Sequence, residues 1–372
     1  MKKKRFLRII ILTAATAFLT SCSYLRTTKP TQEKEEETET LTESDSGENE
    51  IMVVSKKEVT KLNDGLSAVL YDGNDGFDAF LLQGGASTDE EVAEFLTNNL
   101  TLGIDGITFK TPRFGCSSLA VKNPEGDALF GRNFDWKESQ AMVVTNKPEN
   151  GYSSISTVNM DFLGSVDSVL RKLPEKATTI AALYAPVDGM NEKGLCVAVL
   201  MIEDSDAINQ QTEKADITTT TAVRLLLNKA ANVEEAISLL KQYDLHSSMG
   251  LMVHFALADS QGRSVIVEYV NNEMIVTETP VATNFYLSEG EKNGIGSEQS
   301  HTRYEILMEQ LEKTPVMSMA KVRDALDSVS KDNFGEFEST EWSIVYNQLT
   351  REIRYYHRED YKTSYIFMLD ED

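Results

Sequence analysis

Cysteine is scarce in this 372-residue sequence: Cys22, Cys116 and Cys196 are widely separated and odd in number. That excludes a disulfide-stapled scaffold and any zinc finger or ribbon, both of which need close cysteine pairs. The four histidines, His246, His254, His301 and His357, never recur at a four-residue helical spacing, so a zincin-type metal site is excluded as well. Positive charge is also short. Lys and Arg total 36 against 59 Asp and Glu, a formal charge of −23, and a nucleic-acid backbone would be repelled. The longest apolar stretch, Phe6 to Leu19, is broken by Arg8, Thr13 and Thr16. It falls below the roughly 20 apolar residues that a membrane-spanning helix needs. No repeat of fixed period is present.

What is present begins with Lys2-Lys3-Lys4-Arg5 ahead of that short apolar stretch, which reads as an export signal over residues 1–21. Leu19-Thr20-Ser21-Cys22 resembles the lipobox of bacterial lipoproteins. The resemblance implies cleavage before Cys22 and diacylglycerol on its thiol, so acyl chains would hold the protein at the extracytoplasmic face of the cell membrane. Residues 22–50 carry nine acidic and three basic residues with no apolar periodicity, which predicts a disordered, solvated tether. Loss of the five basic residues of the signal would leave the mature chain five charges more negative than −23.

With 41% hydrophobic residues the remainder can fill a large core. Residues 51–115 read as a small structured prelude, with strands at 67–71 and 79–82 and a helix over 89–99 opened by Ser87-Thr88. From Cys116 to the end at 372, short strands are expected at 117–122, 128–134, 179–185, 194–202, 251–258, 263–270, 273–278, 342–348, 353–358 and 363–369. Helices are expected at 219–230, 233–242 and 303–312. Clustered antiparallel strands with helices between the clusters predict an α+β layered domain.

The most informative stretch is Gly115-Cys116-Ser117-Ser118-Leu119-Ala120-Val121, a turn at Asn123-Pro124-Glu125-Gly126, and then Ala128 to Trp136. A tight hairpin there sets Cys116 opposite residues 133–135 and brings Arg132 and Asp135 near one thiol. A cation beside sulfur favours thiolate, and a carboxylate can hold an amine. No histidine lies in the local context of Cys116 to act as its base. A cut between Gly115 and Cys116 would supply one, because a free α-amine titrates at about 7.7–8.0.

Cys116 to Trp136, with Arg132 and Asp135, resembles the N-terminal-nucleophile linear amide hydrolases of the choloylglycine hydrolase family. That group includes bile salt hydrolases, penicillin V acylase and N-acylethanolamine amidases. Asp188-Gly189-Met190-Asn191-Glu192-Lys193-Gly194-Leu195, Thr283-Asn284 and Ser300-His301-Thr302-Arg303-Tyr304 resemble three further motifs of the family, in the same order. The resemblance implies a four-layer αββα sandwich of antiparallel sheets, no metal or organic cofactor, and often a homo-oligomer. It implies autocatalytic cleavage at Gly115-Cys116, after which Cys116 would hydrolyse a linear carbon–nitrogen amide bond through a thioester. Residues 51–115 would be a prosegment or a small subunit, and the resemblance leaves open whether they stay bound.

Carried over residue by residue, Cys116 is the nucleophile, Arg132 sits by its sulfur, Asp135 binds the freed amine and Arg303 completes the polar cluster. The Asn284 amide N–H stabilises the oxyanion. Bile salt hydrolases carry an asparagine where this sequence has Met201. A backbone N–H donor there would keep the chemistry, while the change counts against bile-salt specificity. Asn191 is a second oxyanion or substrate candidate, although Asn in Gly-Met-Asn-Glu-Lys-Gly reads first as a turn residue. His254 and Cys196 read as structural. The residues leave open an acyltransferase, or a non-catalytic surface lipoprotein of the same fold. They also leave open the amide: bile salt, N-acyl amino acid, N-acylethanolamine, penicillin V or acyl-homoserine lactone.

Overall fold

The computed structural model describes residues 41–43, 47–99, 115–163, 174–204, 206–334 and 338–370. The expected signal, Cys22 and most of the expected tether lie outside the described residues. The first sheet runs, edge to edge, β1 (Leu41–Glu43), β2 (Asn49–Met52), β19 (Thr363–Met368), β18 (Glu352–His357), β17 (Ser339–Asn347), β6 (Ala128–Trp136), β5 (Gly115–Lys122) and β16 (Val281–Ala282). The second runs β15 (Glu273–Glu278), β14 (Ser264–Val270), β13 (Val253–Ala258), β10 (Cys196–Met201), β9 (Asp188–Asn191), β8 (Ser154–Asn159), β7 (Ala141–Pro148), β4 (Leu66–Gly73) and β3 (Thr60–Asn63). Pairing is antiparallel in both sheets except at β2–β19 and β4–β7. A separate parallel pair joins β11 (Ala215–Thr218) to β12 (Tyr243–His246).

Seven α-helices are described: α1 (Phe77–Leu82), α2 (Asp89–Asn99), α3 (Glu175–Leu183), α4 (Thr219–Lys229), α5 (Val233–Leu240), α6 (Glu298–Lys313) and α7 (Met319–Ser328). α3 packs on β4, β7 and β8, α4 on β9 and β10, and α5 on β13 and β14. On the other side α6 packs on β5 and β16, and α7 on β6 and β17, while β5 meets β10 between the sheets. The order is helix, sheet, sheet, helix, the layered α+β architecture that was expected. Alternation along each strand assigns its faces. On β5 and β6, Cys116 and Phe134 look inward to the large core, whereas Leu119 and Leu129 look outward to Leu307, Val322 and Leu326 of α6 and α7.

Two sequence expectations fail in instructive ways. Residues 179–185 were expected as a strand but lie largely in α3, preceded by Pro174 at its N-cap, with Ile180, Ala181, Ala182 and Leu183 all buried. An all-apolar run has no period, so helix and buried strand look alike in sequence. Residues 79–82 belong to α1, where Phe77 and Phe80, three apart, enter the core.

The expected tether also ends earlier than residue 50. β1 covers 41–43 and β2 begins at Asn49, and Glu48 between them is buried against the guanidinium groups of Arg323 and Arg354. The prelude is built into both sheets. β2 extends the first and β4 pairs along its length with β7 in the second, while Phe77, Phe80, Val92, Phe95 and Leu96 enter the main core. Asp75 of the prelude is buried too, accepting amide N–H bonds from Asn146 and Asn228 at 3.2 and 3.3 Å.

Candidate active site

The β5–β6 hairpin folds about the expected turn. Asn123 Oδ1 accepts the Asp127 N–H at 2.7 Å, and Gly126 takes a positive φ of 98° that a side chain would resist. The resulting register pairs Cys116 with Phe134 and Gly115 with Asp135. Strand alternation then separates the two charged residues. Arg132 shares the inward face with the Cys116 side chain, and Asp135 shares the helix-side face with Gly115 and Ser117.

Inward, Arg132 Nη2 donates to Cys116 Sγ at 3.3 Å and to the Val199 carbonyl at 3.0 Å, and its Nη1 is bonded to Asp188. The Asp188 carboxylate also receives Trp342 Nε1 at 3.0 Å and the Tyr346 hydroxyl at 3.4 Å. Cys116 is completely buried. Burial pushes its thiol up to about 11, outweighing the pull of Arg132 and Arg303, and Asp135 adds to the rise. The expectation that the cation would favour thiolate therefore holds in direction only. Dehydration of the sulfur is the larger effect. Cys196 is also a free, buried thiol.

On the helix-side face, Arg303 is the hub. It lies in the second turn of α6, which starts at Glu298 behind the N-cap Ser297, five residues earlier than the sequence suggested. Its Nη1 donates to the Cys116 carbonyl at 2.6 Å and to Ser117 Oγ at 2.7 Å, with Asp135 Oδ2 at 3.5 Å. Its Nη2 donates to Asn284 Oδ1 at 2.8 Å. That same oxygen accepts the Cys116 backbone N–H at 2.7 Å, and Asn284 Nδ2 donates to the Met201 carbonyl at 2.7 Å. Asp135 is buried, which raises its carboxyl pKa; Arg303, Lys331 and the Thr340 hydroxyl at 2.7 Å oppose that rise. Gly115 has little room for a side chain, since a Cβ would stand 2.8 Å from both Asp135 Oδ2 and Lys331 Cε.

Met201 ends β10. Ile202 donates to Met252 across the β10–β13 pair, so the alternate residue Met201 turns its own N–H and C=O away from β13. That is the side on which the Val199 carbonyl meets Cys116 and Arg132. A cleft of about 220 Å³ opens beside Gly115, lined by Met201, Glu203, Asn284, Arg303 and Lys331 among others.

Asn191 is elsewhere. Asp188 faces the first sheet, so three residues later Asn191 faces α4. Its Nδ2 donates to the carbonyls of Leu227 and Ala230, and its Oδ1 accepts the N–H groups of Lys193 and Leu195. It closes a helix end and a turn, and the oxyanion role is corrected to that. Gly189 beside it allows α4 to approach, as a Cβ would stand 2.9 Å from Leu227 Cδ1 of that helix. His254 is the structural residue expected, with Nδ1 3.1 Å from Glu268 Oε1 and Nε2 2.8 Å from the Thr283 carbonyl, next to Asn284. Sequence reasoning missed Asp188, Thr340 and Lys331. Asp188 stood in a recognised motif, but nothing in its spacing paired it with Arg132. Thr340 fell outside the expected 342–348 strand.

Among solved structures, the chain is similar to an arginine-to-leucine variant of conjugated bile acid hydrolase from Clostridium perfringens, at 15% identity and TM-score 0.48, covering 65% of this chain and 89% of that one. A cysteine-to-alanine mutant of the same hydrolase matches at 16% identity and TM-score 0.48, covering 69% and 97%. Penicillin V acylase from Agrobacterium tumefaciens matches at 17% identity and TM-score 0.42, covering 65% and 83%. The family model "Linear amide C-N hydrolases, choloylglycine hydrolase family" matches residues 116–285, from the buried cysteine to the residue after Asn284. That segment, 170 of the 372 residues, is similar to the choloylglycine hydrolase family of linear amide C–N hydrolases.

Proposed function

We propose that the chain cuts itself between Gly115 and Cys116 and then uses the new N-terminal cysteine to hydrolyse a small linear amide. In the first stage Cys116 Sγ attacks the Gly115 carbonyl carbon. The C–N bond breaks, the thiol proton ends on the departing nitrogen, and water hydrolyses the thioester to a Gly115 carboxylate and a free thiol. In the second stage the Cys116 α-amine takes the thiol proton, and sulfur attacks the substrate carbonyl. The ammonium returns that proton to the leaving amine, and water then releases the acid.

The observation that carries this reading is the pair of contacts on the scissile unit. The Cys116 N–H is held by Asn284 Oδ1 at 2.7 Å, while its sulfur is held by Arg132 at 3.3 Å on the other face. Asp135 borders Gly115, where it can receive the released ammonium. One Asn284 Nδ2 hydrogen is spent on Met201, and the second, with the Met201 N–H, suits a developing oxyanion. Export on residues 1–21 and acylation of Cys22 belong to the same proposal and rest on the sequence of that segment.

Intact mass and N-terminal sequencing of the purified protein test the reading. A large fragment beginning Cys-Ser-Ser-Leu is expected, and Cys116→Ala should stay in one piece. A wild-type chain that remains whole would refute it.

A further inference from the structure

Lys331 has no part in the reactions above, yet its backbone is linked to Asp135 through one hydroxyl and its stem passes beside Gly115, next to the same carboxylate. Its N–H donates to Thr340 Oγ1 at 2.9 Å, and that hydroxyl donates to Asp135 Oδ1 at 2.7 Å. Its stem lies against Gly115, where a Cβ would meet Lys331 Cε and Asp135 Oδ2 at the same 2.8 Å. The side chain is 4% exposed, with its ammonium bonded to Gln299 and 3.5 Å from Glu338.

An α-amine beside a buried carboxylate would ordinarily be fixed as ammonium, and an ammonium cannot accept a thiol proton. Arg303 reaches Asp135 only at 3.5 Å, its shorter bonds going to the Cys116 carbonyl, Ser117 and Asn284. A second cation is needed to moderate the carboxylate. We propose that Lys331 is a positioning residue of this site, sharing Asp135 with Arg303 so that the amine released at Cys116 is held there as a working base. The inference rests on the self-cleavage reading. The other charged groups facing this point are Arg132 on β6, with Asp188 of β9 behind it, Glu203 after β10, Glu338 before β17 and Glu359 after β18, whose Oε1 accepts the Thr340 N–H at 3.1 Å. The Asp135 carboxyl responds accordingly, being drawn down by Arg303 first and Lys331 second against the larger rise from burial.

The test is a pH titration of the Cys116 α-amine by 15N NMR in the self-cleaved full-length protein labelled with 15N-cysteine, which needs no substrate. The wild-type amine should titrate at or below the ordinary range of about 7.7–8.0. Lys331→Met, which keeps the stem and removes the charge, should raise it by about one pH unit, and Lys331→Arg should restore it. A Lys331→Met amine that titrates with the wild type overturns the inference. So does a wild-type amine well above the ordinary range, which decides the matter even where Lys331→Met fails to fold. If wild type shows no free amine at Cys116, the self-cleavage reading has itself failed, a result distinct from an amine that titrates at the wrong pH.

Discussion

Asn284 Oδ1 accepts the Cys116 backbone N–H at 2.7 Å, across 168 residues of sequence. The oxygen is shared with Arg303, so one amide group touches the nitrogen that would leave, the guanidinium beneath it and, through Nδ2, the end of β10. Removing it should be felt in the proposed self-cleavage. Asn284→Ala is expected to slow self-cleavage by about 100- to 1000-fold, the usual cost of losing an oxyanion donor, here the second Nδ2 hydrogen. A time course on denaturing gels measures it.

Self-cleavage should also quicken with pH. With the Cys116 thiol pushed up to about 11 by burial, the thiolate fraction grows about tenfold for each pH unit below that value. The logarithm of the cleavage rate should rise linearly from pH 7 to about 10. A plateau starting near 8 would mean that the sulfur is far less dehydrated than its surroundings suggest. The sign for stability is the opposite. A thiol pKa raised on folding means that the folded chain holds its proton longer, so the stabilisation is complete below the unfolded value and is lost as pH climbs toward 11.

Asp188→Asn should destabilise the fold by about 3–5 kcal/mol, because it strands the Arg132 guanidinium in a dry interior. Both side chains are fully buried. A fall in the urea midpoint of Cys116→Ala/Asp188→Asn relative to Cys116→Ala measures this without interference from cleavage. A midpoint unchanged within error would show that the pair contributes nothing net.

The two pieces made by cleavage should stay together. Separation would expose Phe77, Phe80, Val92, Phe95 and Leu96, each worth roughly 1.5–3 kcal/mol of burial. It would also remove Asp75, whose charge supports the buried Arg224, a guanidinium that burial pulls down to about 10. Size-exclusion chromatography should give one peak containing both masses. Separate peaks in native buffer would contradict the interlocked sheets.

The part of this protein most readable in its sequence is the hairpin. The turn residues at 123–126 fix a register that sets Cys116 opposite Phe134, inside the expected window of 133–135. Helix α2 was readable to its ends because Thr88 caps it, its hydroxyl accepting the Glu91 N–H at 3.2 Å. α3 was misread because an unbroken apolar run carries no period. β7 and β8 were missed altogether, although every residue of β8 is buried. Of the candidate site, Arg132, Asp135, Asn284 and Arg303 do converge on Cys116. The groups that hold them in place, Asp188 and Thr340, were not visible, because long-range partnership leaves no local spacing to detect.

Thr340 stands 205 residues beyond Asp135 and still donates to its carboxylate, and Lys331 comes nearly as late. A nascent or truncated chain therefore carries the scissile bond long before it owns the hydroxyl and the ammonium that set the charge around it. Under the proposed self-cleavage, scission would work as a completion signal: only a polypeptide made past Thr340, with its first sheet closed around β17, would be equipped to release its cysteine.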